Sequence, residues 1–215
     1  MTIKIIPALI AETQKKLEER FNKVANYTSW FHIDVMDGKF VESKSNWFDF
    51  RLPSSHNYEI HLMVDNPLEW VIKNYSKGDV IIANWESLDN PKEFIDFLIS
   101  KNKTKAFGIN PETPLKAIFP YLKIIDRILI LCVNPGRYGA PFITDSLKKI
   151  RDLKEKFDNE IEADGNQNLE TIPKVLQAGA NVLAVGSYIQ NSSNVQMTIN
   201  HLQKVCQQYD FRLVP

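Results

Sequence analysis

The 215-residue chain sets 26 Lys+Arg against 26 Asp+Glu and carries no basic block, which argues against a nucleic-acid partner. Apolar residues make up 44% and charged residues 24%, the composition of a globular protein rather than a disordered or fibrous one. No run of about 18 apolar residues offers a membrane span, and the two cysteines, Cys132 and Cys206, suit a reducing, cytoplasmic setting without a disulfide framework.

Short β-rich runs alternate with longer amphipathic ones along the whole chain. IKIIPALI (3–10) predicts a first strand rather than a signal peptide, being short and without a cleavage signature. The helical pattern AETQKKLEERFNKVAN follows it. Next come WFHIDVM (30–36), YEIHLMV (58–64), DVIIANW (79–85), KAFGI (105–109), RILILCV (127–133), EIEADG (160–165) and VLAVGS (182–187) as strands. Helical patterns NPLEWVIKNY, NPKEFIDFLISKN, DSLKKIRDLKEKF and NLETIPKVLQAGA lie between them, with caps expected at Asn66-Pro67, Asn90-Pro91, Thr144-Asp145 and Asn168. About eight β-then-α units predict a (β/α)₈ TIM barrel filling 1–215 as a single domain. The alternative is an open doubly wound sheet, but the Gly-rich turn usual after its first strand is missing from IPALIAETQ.

Catalytic residues of a barrel come from the C-terminal ends of its strands. Those ends carry His32 and Asp34, then Glu59 and His61, then Glu162 and Asp164. Side chains alternate along a strand, so His32 and Asp34 share a face, as do Glu59, His61 and Met63. A lone strand histidine is more often hydrogen-bonded core than ligand. Two imidazoles and several carboxylates converging are harder to dismiss, and no Lys or Arg lies on those strand segments to neutralise them. The set therefore suits a divalent transition metal. Two carboxylates across one site also suit removal of a proton from one face of a carbon and return to the other, with a metal polarising the neighbouring carbonyl. Glycines in NPGRYGAPF (134–142), DGN (164–166) and VGSY (185–188) are each ordinary turn residues alone, and together predict a phosphate cradle.

With HIDVMDGKFV, HLMV, FGINPETPL, VNPGRYGAPFI, ADGN and AGANVLAVGSYI in order and spacing, the chain resembles the ribulose-phosphate 3-epimerase family, including its allulose-6-phosphate 3-epimerase-like members. The resemblance implies a barrel with one catalytic divalent metal, commonly zinc and otherwise iron, manganese or cobalt. It makes His32, Asp34, His61 and Asp164 the metal ligands and Asp34 and Asp164 the two acid/base groups. Met36, His61, Met63, Gly136, Arg137, Tyr138, Gly139, Gly165, Asn166, Gly186 and Ser187 fall where the family holds the sugar and its phosphate. Arg137 is either a charge-assisted phosphate contact or a solvated side chain.

Five departures stand out. Ala8 replaces a usual serine, GRYGAP replaces GFGGQ, and Asn166 replaces a second glycine. ESKSN stands where a PN pair is common, and ANWES lacks a histidine common after the fourth strand. The implied activity is metal-dependent 3-epimerisation of a ketose phosphate, D-ribulose 5-phosphate to D-xylulose 5-phosphate, through an enediolate. The alternatives are allulose 6-phosphate as substrate, or a sugar-phosphate-binding homologue that has lost catalysis. A decarboxylase of the D-x-K-x-x-D type is disfavoured because Met36 occupies the lysine's place. The expected partners are the small ketose phosphate and further copies of the chain, as a homo-oligomer, with neither nucleic acid nor membrane.

Overall fold

The computed structural model describes residues 2–136 and 139–210. The elements run β1 (Lys4–Leu9), α1 (Gln14–Val24), β2 (Trp30–Asp37), β3 (Lys44–Ser45), β4 (Asn57–Met63), α2 (Pro67–Asn74) and β5 (Val80–Asn84). They continue α3 (Pro91–Ser100), β6 (Thr104–Ile109), β7 (Arg127–Leu131), α4 (Asp145–Lys154), β8 (Glu160–Asp164), α5 (Ile172–Ala178), β9 (Val182–Val185), α6 (Ser187–Gln190) and α7 (Val195–Asp210). Eight strands pair in parallel in the order β1-β9-β8-β7-β6-β5-β4-β2, and a β1–β2 pairing closes the ring. The two-residue β3, absent from the sequence reading, is an antiparallel appendage on β2. The expected TIM barrel is the observed one.

Local chemistry explains most element boundaries. Asn66 and Asn90 cap α2 and α3 by accepting the backbone N–H of Glu69 at 3.1 Å and Glu93 at 3.3 Å, each with proline in the first turn. The other two expected caps do not form. Thr144 makes no side-chain bond to α4, and Asn168 spends its carboxamide oxygen on the N–H groups of Glu170 and Thr171, in a turn that delays α5 to Ile172. Between β6 and β7, prolines at 111, 114 and 120 leave two 3-10 turns, Leu115–Ala117 and Phe119–Tyr121, in place of a helix, and the β2–β4 connection likewise carries β3 in place of a helix. After β2, the Asp37 carboxylate accepts from the N–H of Lys39 at 2.8 Å, Phe40 at 3.0 Å and Asp65 at 2.9 Å, fixing the expected Asp-Gly turn and tying it to the loop after β4.

Alternation along the strands divides the protein into two interiors. Phe31, Ile33, Ile60, Leu62, Ile81, Phe107, Ile128 and Ile161 face outward and pack under helix residues such as Leu17, Phe21, Val71, Phe94, Ile150 and Val175. Inside the barrel, Val80, Ile82, Ala106, Leu129 and Leu131 make a small apolar patch. Beside it, and beside Ile6, Val182 and Ala184 on β1 and β9, lies an ionic layer. Arg127, 2% exposed at the start of β7, ion-pairs with Glu59 across the barrel, with Glu162 at 3.0 Å, and with Glu160 through two bonds of 2.9 and 2.6 Å. Lys4 pairs with Glu160 in turn.

This corrects the expectation that the buried carboxylates lack a cation of the protein's own. Arg127 opens the apolar run RILIL, and its inward parity with Leu129 and Leu131 carries it under strands that hold no cation themselves. Removing it strands two carboxylates that are 0% exposed. We expect Arg127→Leu to lower stability to urea by about 3–5 kcal/mol, and the triple variant with Glu59→Gln and Glu162→Gln to recover much of the loss. Equal urea midpoints for wild type and Arg127→Leu would refute the ionic layer's structural role.

Candidate active site

Directly above the ionic layer, the ends of β2, β4 and β8 bring four side chains together. The β2–β4 register sets Asp34 opposite His61. Asp34 Oδ1 lies 3.1 Å from His32 Nε2 and 3.1 Å from His61 Nδ1, and Asp164 Oδ2 lies 3.8 Å from His61 Nδ1. One ligand-capable atom from each of His32, Asp34, His61 and Asp164 falls within 4.8 Å of all the others. Both imidazoles are fully buried, whereas the side chains of Asp34 and Asp164 keep 12% and 14% exposure at the cleft floor.

The other ring nitrogens are also engaged. His32 Nδ1 meets Glu59 Oε1 at 2.7 Å and Glu162 Oε1 at 3.3 Å, while His61 Nε2 meets Asn84 Oδ1 at 2.8 Å. Carboxylate and carboxamide oxygens only accept, so these partners hold protons on the far nitrogens and turn the lone pairs of His32 Nε2 and His61 Nδ1 toward Asp34. Those two nitrogens face a carboxylate oxygen at hydrogen-bond distance, so protons fill the space between them in the metal-free protein and a cation can replace those protons. The donor set, two nitrogens and two carboxylate oxygens braced from behind, fits a divalent transition metal. A second cluster, His32 with Glu59 and Glu162, already has its cation in Arg127.

The two aspartates are electrostatically unlike. Burial works to raise the Asp34 carboxyl, yet the His32 and His61 imidazoles overcome it and hold the group well below the usual carboxylate range. At Asp164, burial and then the Asp34 charge win over the imidazoles, and the group is pushed up to about 6. In the metal-free site the two environments thus push the carboxyls in opposite directions, Asp34 down and Asp164 up.

A cleft of about 690 Å³, counting its open mouth, rises from these aspartates. Among the expected substrate contacts, Met36, Met63, Gly136, Gly139, Gly165, Asn166, Gly186 and Ser187 line it, with Ala8 beside Gly186. His61 lies beneath the floor. Arg137 and Tyr138 lie outside the described residues. Gly136 and Gly165 take positive φ (+83° and +100°), and a Cβ there would come within 2.6 Å of Val41 and 2.5 Å of Val133, so both positions require glycine for the turn itself. Asn166 bonds to the Ala140 carbonyl at 3.1 Å and ties the two glycine loops together.

Sequence reading missed Asn84, Asn110, Arg127 and Gln167. Gln167 lines the cleft, 3% exposed, with an unpaired Oε1. Asn84 had a legible signal, since it ends an apolar strand on the inward parity of Val80 and Ile82.

Comparison with known proteins agrees with this geometry. A sequence model of the ribulose-phosphate 3 epimerase family matches residues 4–190. Proteins named ribulose-phosphate 3-epimerase are similar along nearly the full chain. That of Methanocaldococcus jannaschii is 31% identical over 94% of this chain and 90% of its own, and that of Eremothecium gossypii is 29% identical over 93% and 91%. The Bacillus subtilis protein of that name is 28% identical over 94% and 98%. Among solved structures, 3-hexulose-6-phosphate synthase from Salmonella typhimurium superposes with a TM-score of 0.69 at 14% identity, over 96% of this chain and 100% of that one. A mutant tryptophan synthase alpha-subunit from Pyrococcus furiosus gives 0.66 at 14% identity, over 97% and 99%. At such identities these two speak for the barrel alone. The chain belongs to the ribulose-phosphate 3-epimerase family, an isomerase-class family of epimerases.

Proposed function

We propose that this protein is a metal-dependent ketose-phosphate 3-epimerase that interconverts D-ribulose 5-phosphate and D-xylulose 5-phosphate by two-base proton transfer. The observation that carries the reading is the pair of aspartates, Asp34 and Asp164, at the floor of one cleft with His32 and His61 behind them. Those four residues would hold a divalent ion, zinc first and otherwise iron, manganese or cobalt. Such an ion, when bound, supplies Lewis-acid polarisation of the ketone and stabilises an enediolate.

The remaining chemistry belongs to the protein. One aspartate removes the C3 proton from one face, and the other, carrying a proton, delivers it to the opposite face. The reverse direction exchanges their roles. Met36 and Met63 pack over the floor with Val41, Ile10 and Phe40 as an apolar collar, which limits water beside the carbanionic intermediate. The glycine loops at Gly136, Gly139 and Gly165, with Asn166, Gly186 and Ser187, receive the phosphate end. Among the described residues no helix is long and apolar enough to cross a membrane. A cytoplasmic homo-oligomer completes the proposal, and a rice relative named as the cytoplasmic isoform supports that location.

Two outcomes are expected. Incubating the metal-replete protein with ribulose 5-phosphate in D₂O gives xylulose 5-phosphate bearing deuterium at C3, read by NMR. No exchange with this sugar but exchange with allulose 6-phosphate moves the assignment to the six-carbon substrate, and silence with both removes the catalytic reading. Asp34→Asn and Asp164→Asn each reduce turnover by at least about 10²–10⁴-fold; near-normal turnover in either variant breaks the two-base scheme.

A further inference from the structure

His61 has two ring nitrogens, and its neighbours ask opposite things of them. Nδ1 faces Asp34 Oδ1 at 3.1 Å and Asp164 Oδ2 at 3.8 Å. Left to itself, a neutral imidazole beside two carboxylates places its single proton on the nitrogen that faces them. A metal ligand must do the reverse and keep that lone pair free. The decision falls to the group at Nε2, which is the carboxamide of Asn84, 2.8 Å away.

A carboxamide presents either an acceptor or a donor, so its orientation sets the tautomer. With its oxygen toward His61, Asn84 accepts from Nε2–H and frees Nδ1. With its NH₂ there, it would donate to Nε2 and leave the proton on Nδ1, against any cation. Asn84 is held in the first orientation from behind, because its Nδ2 donates to Asn110 Oδ1 at 2.9 Å.

The backbone of Asn110 is itself held by elements far from the site. Its main-chain N–H donates to Glu86 Oε1 at 3.0 Å, and its main-chain carbonyl, with those of Pro111 and Thr113, accepts from Lys149 Nζ at 2.7, 2.6 and 2.6 Å, which places the side chain with its Oδ1 beside Asn84 Nδ2. Gly108 on β6 leaves space for the pair, since a Cβ there would lie 3.1 Å from His61 Nε2 and 3.0 Å from Asn84 Oδ1. His61 and Asn84 are both 0% exposed, so water does not compete for these bonds.

We propose that Asn84 is a positioning residue that fixes the tautomer of His61, with its own polarity set by Asn110, so that Nδ1 is presented to a divalent metal. The proposal rests on the metal reading given above. It makes Asn84 and Asn110 determinants of metal affinity although neither is a candidate ligand.

The test uses zinc as the probe and compares wild type, Asn84→Leu and Asn84→Asp, each first shown to be folded without metal by its thermal transition. Zinc affinity is then measured by chelator competition. Asn84→Leu, similar in size but without an acceptor, is expected to bind zinc about 10–100-fold more weakly. Asn84→Asp, which can only accept, is expected to restore most of that loss. In zinc-loaded wild type, ¹⁵N NMR of the imidazoles should find the His61 proton on Nε2 and none on Nδ1.

Equal zinc affinity in all three proteins, an equal loss in both variants, or a proton on Nδ1 in the loaded wild type would overturn the role of Asn84. The NMR result stands even if a variant does not fold. Wild-type protein that binds no zinc would instead overturn the metal reading, and this proposal with it.

Discussion

Two imidazole nitrogens share one carboxylate oxygen, Asp34 Oδ1, each at 3.1 Å. Such an arrangement needs protons or a cation between the groups, so the surrounding protein must hold the groups together and leave them able to receive a cation. Glu59 and Asn84 do the first by pinning the far ring nitrogens. Asp164, closing the set from β8, does the second by bringing a fourth ligand-capable atom within 4.8 Å of the other three. The chemistry proposed for the protein, a proton leaving one face of a carbon and returning to the other, draws on the same two aspartates.

That cluster in turn depends on an ionic floor. Glu59 and Glu162 serve His32 only because Arg127 offsets their charge inside the barrel, and Arg127 is steadied by Glu160 and Lys4. A TIM barrel interior is ordinarily filled by layers of branched apolar side chains. Here that filling survives as the patch of Val80, Ile82, Ala106, Leu129 and Leu131 and as Ile6, Val182 and Ala184 of β1 and β9, and the half beneath the histidines is polar. The price is several buried charges whose mutual pairing must remain complete.

The barrel was legible because period-two runs and period-three-to-four runs alternate along the chain, and because Asn-Pro caps mark α2 and α3 at their true starts. Strand parity gathered His32, Asp34, Glu59, His61, Glu162 and Asp164 into one interior, and the family resemblance singled out His32, Asp34, His61 and Asp164 among them. Arg127 was not, because its partners come from β4 and β8, and pairing across a barrel leaves no trace in local spacing. Thr144 stands before α4 as expected but makes no capping bond, and Asn168 was misread for a related reason: a residue able to cap a helix serves a turn equally well, and tertiary context decides. In ANWES only the absence of a histidine was legible, whereas in the fold the carboxamide of Asn84 in that segment takes up the ring nitrogen of His61.

The central claim is that His32, Asp34, His61 and Asp164 together hold one divalent ion. It is tested most directly by anomalous diffraction at the zinc edge on crystals of the zinc-loaded protein. The account predicts one strong peak, about 2.0–2.2 Å from His32 Nε2, His61 Nδ1 and an oxygen of each aspartate. A peak elsewhere, or no peak at these four side chains under saturating zinc, would contradict it.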